Sequence, residues 1–235
     1  MKIMSQLIII GLTLIVTQSC ARTVTSLDVP LNIKITLTTQ GTINLDRTHI
    51  ILCFSKTQSP SIPSDTEFNY YLPLPGQMYQ NSDANFIEKG LSYYYTNYYS
   101  TWSHFIDIHT YSNTTTKLFT APNTGFILNN NDDHYTYNPI NTFDSTYTQT
   151  NNTIELSFNI SYLNLQKNDT LYFNIITTEN KEPDTSQTGY YQDKIDFSGY
   201  ITMKRLETTG IKTELTNANI SNKGTDITQW QVSLF

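Results

Sequence analysis

The stretch Thr153-Ile154-Glu155-Leu156-Ser157-Phe158-Asn159-Ile160 alternates apolar and polar side chains without a break. Successive side chains of a strand point to opposite faces. Ile154, Leu156, Phe158 and Ile160 therefore share a face to be buried, and Glu155, Ser157 and Asn159 share one that meets water. Asn151-Asn152 precedes the stretch as a turn, because asparagine bonds its own main chain and tolerates left-handed backbone. After a second turn at Lys167-Asn168-Asp169, Leu171, Phe173 and Ile175 alternate with Tyr172, Asn174 and Ile176. A period of two at both places excludes amphipathic helix, whose apolar residues recur every three to four.

The same period extends in both directions. Leu31, Ile33, Ile35 and Leu37 alternate with Asn32, Lys34, Thr36 and Thr38, then Gly41 turns the chain and Thr48 to Phe54 reads as a partner strand. Cys53 lies in that apolar run and reads as a small buried residue, with no activating base beside it. Trp102, His104, Ile106 and Ile108 alternate against Ser103, Phe105, Asp107 and His109. Thr116 to Thr120 and Gly199 to Met203 are further short strands. At the C-terminus Trp230, Val232 and Leu234 form the apolar set and leave Phe235 on the polar face. That register opposes an outer-membrane barrel, in which residues at every second place back from a terminal aromatic face lipid. One short helix is expected from Asp83 to Lys89, capped by Ser82 and closed by Gly90. Residues Ser59 to Asp65 and Asn129 to Asp133 read as loops. About nine short strands with almost no helix predict an all-β fold, a two-sheet antiparallel β-sandwich.

Composition agrees. Of 235 residues only 14% are charged, while 17 Tyr and 11 Phe supply too many large rings for a disordered chain. The net charge of −6 offers no basic face to phosphates, which argues against a nucleic-acid partner. Lys2 precedes an apolar run from Leu7 to Val16, too short to span a bilayer core of about 30 Å. Residues 1–20 thus read as a signal peptide, 21–30 as a short tether and 31–235 as one sandwich domain. Two cleavages compete. Thr17-Gln18-Ser19-Cys20 is similar to the bacterial lipobox, with Cys20 as the lipidated new N-terminus. Thr17 and Gln18 depart from it, standing where leucine and a small residue are usual. The rival is ordinary cleavage after Ala21. Lipidation of Cys20 would leave Cys53 the sole free thiol and anchor the protein to a membrane of the bacterial cell envelope.

A resemblance rests on the strand order. Thr153–Ile160, the turn near Tyr162-Leu163, Asp169–Ile176 and a late Asp193-Lys194-Ile195-Asp196-Phe197 are similar to the closing strands of exported β-sandwiches of the family-nine carbohydrate-binding and DOMON-like type. The front half, with Ile50–Phe54 and Trp102–Ile108, resembles uncharacterised bacterial lipoproteins of that shape. The likeness implies a fold and carries across no signature residue of a sugar or haem site, because one fold hosts many sites.

The most unusual segment for chemistry is Tyr93-Tyr94-Tyr95-Thr96-Asn97-Tyr98-Tyr99, followed by Trp102. Sugars stack their C–H faces on aromatic planes, and tyrosine offers large contact area at little entropic cost. Tyr94, Tyr98 and Trp102 are the candidate ligand platform, with simple packing of all these rings as the competing reading. Asn129, Asn131 and Asp133 place oxygens at alternate positions, as calcium favours. His134 and Ile140 stand where the helix-loop-helix calcium pattern needs glycine and glutamate, so that motif fails. Among the histidines, His104 and His109 point to opposite faces of a strand. Asp107 and His109 share one, and two ligands make no zinc site. No metal or cofactor is expected. Nucleophile-elbow, zinc-protease and phosphate-loop motifs are absent from the sequence. Asp107 and Glu155 are the candidates for a glycosidase carboxylate pair, but no enzyme is expected. The function expected is an exported, lipid-anchored envelope protein that binds a ligand, most simply a glycan. The alternative is a structural or adhesive envelope protein that binds other proteins and has no small-molecule site.

Overall fold

A computed structural model describes residues 30, 32–62, 98–109, 115–120, 143–179 and 190–235. Among them are eleven strands: β1 (Asn32–Thr39), β2 (Thr48–Ser55), β3 (His104–Ile108), β4 (Thr115–Thr120), β5 (Phe143–Thr150), β6 (Thr153–Asn159), β7 (Thr170–Glu179), β8 (Tyr190–Lys194), β9 (Gly199–Thr202), β10 (Lys212–Thr213) and β11 (Ile227–Leu234). Every pairing is antiparallel, and the hydrogen-bonded order is β10-β11-β1-β6-β5-β4-β3-β2-β7-β8, with β9 also on β7. The path folds over so that two antiparallel sheets pack face to face as a β-sandwich. Phe54 of β2 meets Phe158 of β6 edge-on at 5.7 Å, and Phe173 of β7 meets Trp230 of β11 at 5.3 Å and 90°. Edge-to-face contact suits the ring quadrupoles.

The expected alternation builds the core. β1 and β6 bury every second side chain, Ile33, Ile35 and Leu37 against Ile154, Leu156 and Phe158. Trp230, Val232 and Leu234 of β11 join them, and Phe235 is exposed, as the terminal register requires. Asn151, which turns β5 into β6, has φ 52°, and Asn168 before β7 has φ 67°, so asparagine supplies the left-handed backbone at both turns. The β1–β6–β11 sheet is wet on its outer side, where Lys34 and Glu155 pair at 2.8 Å.

The second sheet differs. All eight residues of β2 are buried. Ile50, Leu52 and Phe54 belong to the shared core, whereas Ile51, Cys53, Phe105 and Ile176 are buried outside that cluster. Part of that outer cover is the 3-10 turn Tyr99–Thr101 with Trp102, which reaches Ser61. Along the other open edge, side chains rather than a ladder join the sheets. The Ile227 N–H donates to Asp193 Oδ2 at 2.7 Å, and Thr177 Oγ1 donates to the Thr225 carbonyl at 2.6 Å.

Cys20, the helix expected over Asp83 to Lys89, Tyr94 and the Asn129–Asp133 loop lie outside the described residues.

Candidate functional site

The open edge between β9 and β10 forms a groove of about 460 Å³. Its position follows from the strands. β7 pairs with β8 along Ile176–Glu179 and with β9 along Thr170–Phe173, so β9 has no further strand beyond it among the described pairings. Across the gap, β10 and the bridge of Thr208 to Ser233 extend the β11 side. Gly199 begins β9 because the Phe173 ring occupies the space of a side chain: a Cβ there would lie 2.1 Å from Cζ of that ring. Phe173 in turn packs against Trp230, which lies in the groove wall.

Alternation along β9 turns Ile201 inward and Tyr200 outward. Tyr200 is 66% exposed and tilts against its cross-strand partner Tyr172 at 6.4 Å, while Phe197, in the preceding bend, is 84% exposed. Opposite these rings stands Glu214. It accepts the Trp230 indole N–H, and its Oε2 accepts the Asp196 N–H at 2.8 Å. Asp196 Oδ2 accepts the Leu215 N–H at 3.4 Å. Burial raises the Glu214 carboxyl above its ordinary range. The N–H donors of Asp196 and Trp230 oppose that shift, and the adjacent Asp196 carboxyl adds to it. Glu214 is thus a clasp across the gap and a hydrogen-bonding group at the groove wall. Ser198, Thr202, Thr208, Thr209 and Thr213 add hydroxyls that both donate and accept. Exposed ring faces beside carboxylates and hydroxyls match the two surfaces of a sugar, apolar on its C–H faces and polar at its rim.

The residues expected from sequence lie elsewhere. Tyr98 is half-buried and its carbonyl accepts from the N–H and hydroxyl of Thr101. Trp102 is 1% exposed, packs edge-on against Tyr99 at 4.8 Å and donates its indole N–H to the Ser61 carbonyl at 2.9 Å. Such a ring is a packing element and presents no open face for stacking. Asp107 and Glu155 project from opposite sheets, each away from the shared core, so they do not form a carboxylate pair. Cys53 is buried as expected, and burial pushes its thiol far above the ordinary range, which removes the thiolate a nucleophile needs. Burial, with the Lys56 charge adding to it, lowers the His104 imidazole to about 4.

Phe197, Tyr200 and Glu214 were not singled out in the sequence, although one signal was present. In Gly199-Tyr200-Ile201-Thr202-Met203 the alternation that buries Ile201 and Met203 turns Tyr200 outward. Glu214 gave no such sign, because its role depends on a two-residue strand. No protein family, curated protein or solved structure matches this chain.

Proposed function

We propose that this chain is an exported bacterial envelope protein, lipid-anchored through Cys20, whose β-sandwich binds a carbohydrate in the β9–β10 groove. The observation that carries the reading is the placement of the exposed Phe197 and Tyr200 rings beside Glu214 and the hydroxyls of a groove of about 460 Å³. Two exposed rings at one groove make an apolar patch of the kind that marks a ligand or partner site. The signal-like N-terminus supports export, and the net charge of −6 agrees with a neutral, polar ligand better than with a polyanion. No catalytic step is assigned.

The test is glycan-array binding of the full chain against the double variant Phe197→Ala/Tyr200→Ala. Wild-type binding that falls at least tenfold, about 1.4 kcal/mol, in the double variant supports the reading. A folded wild-type chain with no saccharide signal refutes it.

A second reading has its own observation. Leu206, Ile211 and Leu215 flank the groove in sequence and are 68–83% exposed. Exposed aliphatic residues beside aromatic ones suit a protein partner in a structural or adhesive role. Cross-linking that recovers an envelope protein through this rim, with no saccharide bound, would favour it.

Anchoring has a separate test. Cys20→Ala should release the protein from the membrane fraction or leave uncleaved precursor, because Cys20 is the residue that would carry the acyl chains holding it there. A mature N-terminus at Arg22 without lipid would refute the anchor.

A further inference from the structure

Three polar side chains converge on the outer face of β2 and β3, and none of them lines the groove. The antiparallel register pairs Ile50 with Ile108 and Ile51 with Asp107. One step further along this register sets His49 beside His109, and period-two alternation puts Asp107 on the same face as both. Their rings confirm the juxtaposition: His49 and His109 stack at 4.5 Å between centroids and 28° between planes. His49 Nδ1 lies 3.0 Å from each oxygen of Asp107, and His109 Nε2 lies 3.6 Å from Asp107 Oδ2. One donor atom from each residue falls within 4.8 Å of the other two.

We propose that His49, Asp107 and His109 form a binding site for one divalent transition-metal ion, with zinc as the ion that the donor set suits. Two imidazole nitrogens and one carboxylate oxygen are ligands zinc accepts, at about 2.0–2.2 Å. Tetrahedral bonds of that length set neighbouring donors about 3.3 Å apart. The separations of 3.0 and 3.6 Å from the Asp107 carboxylate bracket that spacing. One donor atom from each residue lies within 4.8 Å of the others, so the donors must draw closer to reach one ion.

Burial and charge favour the same assignment. His49 and Asp107 are nearly closed off from solvent, whereas the His109 side chain keeps about a fifth of its surface exposed and gives an ion a way in. A buried carboxylate between two imidazoles has its negative charge balanced by a bound cation. Three ligands among the described residues leave the fourth tetrahedral position to a donor from outside this set. Hard cations such as calcium need six to eight oxygens and are excluded by the two nitrogens.

The test uses the full chain, stripped of metal by a chelator and titrated with Zn²⁺ by calorimetry. Wild type is expected to bind one ion per chain with a Kd in the micromolar range or below. Cobalt in place of zinc should give the visible absorption of a tetrahedral site. His109→Gln, at the rim, should keep its fold by circular dichroism and lose at least tenfold in affinity. His104→Gln, on β3 with Asp107 but outside the cluster, should bind within twofold of wild type. No binding by wild type, unchanged affinity in His109→Gln, or an equal loss in His104→Gln would each overturn the assignment.

Discussion

The β1–β6–β11 sheet and the β2–β3–β7 sheet share one core and differ on their outer faces. On the first, outward Lys34, Thr36 and Glu155 are partly exposed and need nothing from the protein beyond water. On the second, the outward side chains of β2 are all buried, as are Asp107, Asn174 and Ile176, and each polar one has to find a partner inside the protein or carry a desolvation cost. His49 meets Asp107 at 3.0 Å. Asn174 donates to Ser198 Oγ at 2.9 Å and accepts from the Ile175 N–H. Thr177, paired with the core residue Ile50, faces inward instead and reaches across to the Thr225 carbonyl of the opposite sheet. Identical backbone geometry therefore gives a passive surface on one side of the sandwich and a network of specific polar contacts on the other.

The contrast breaks most readily by shaving side chains on corresponding faces. Trp230→Ala removes the ring that ties the first sheet to Phe173 of the second, and should cost about 3–5 kcal/mol. Ile51→Ala, on the outer face of β2, should cost about 2–5 kcal/mol because the site is as closed as the core. Thr36→Ala, on the outer face of β1, should stay within about 0.5 kcal/mol. Denaturant unfolding measures all three. Equal small losses for Ile51→Ala and Thr36→Ala would show that the second outer face is open. Gly199→Ala follows at about 1–3 kcal/mol, since its methyl group meets the Phe173 ring and that ring has no free space to yield.

A subtler contrast is electrostatic. Burial raises Asp193 to about 7, the Asp226 and Asp196 carboxylates adding to it and the N–H groups of Ile227 and Lys194 opposing it. A carboxyl whose pKa rises on folding binds its proton more tightly when folded. Its stabilisation is complete below 3.8, its ordinary value, and is lost as pH rises towards 7. His104, lowered from 6.5 to about 4, acts in the other direction: its contribution is complete above 6.5 and is lost as pH falls towards 4. Between pH 4 and 6.5 the two oppose one another. Asp193→Asn should therefore steepen the rise of melting temperature with pH across that window, and His104→Gln should shift the slope towards a fall. Parallel curves for wild type and both variants would contradict these shifts. The smallest effect belongs to the wet face. Lys34→Ala breaks an exposed ion pair and should alter stability by less than about 1 kcal/mol, with the difference shrinking in salt.

The two sheets also differ in how much of them was legible in the sequence. Ile33, Ile35 and Leu37, Ile154, Leu156 and Phe158, and Trp230, Val232 and Leu234 alternate with polar residues, so their buried face could be read directly. β2 reads Thr48-His49-Ile50-Ile51-Leu52-Cys53-Phe54-Ser55, and a continuous apolar run does not say which face carries what. His49 consequently could not be joined to Asp107 and His109, which already shared a face in the sequence reading. That required the β2–β3 register, a long-range property. The tyrosine-rich segment drew attention to Trp102 by composition, yet the ring is an internal packing group. The groove was hidden for another reason. Its walls come from β9, the β10 region and β11, and separation in sequence conceals what an open sheet edge brings together.

Carbohydrate occupancy of the groove is tested most directly from its wall. The chain has two tryptophans, so Trp102→Phe leaves Trp230 as the only indole reporter. Its N–H is held by Glu214 beside Phe197 and Tyr200, where a bound sugar would alter its surroundings. Titrating this variant with the saccharide that gives the strongest array signal should shift Trp230 emission saturably, with the same affinity as wild-type binding by calorimetry. Unchanged emission at saccharide concentrations that saturate the calorimetric signal would place the sugar elsewhere and contradict the groove as its site.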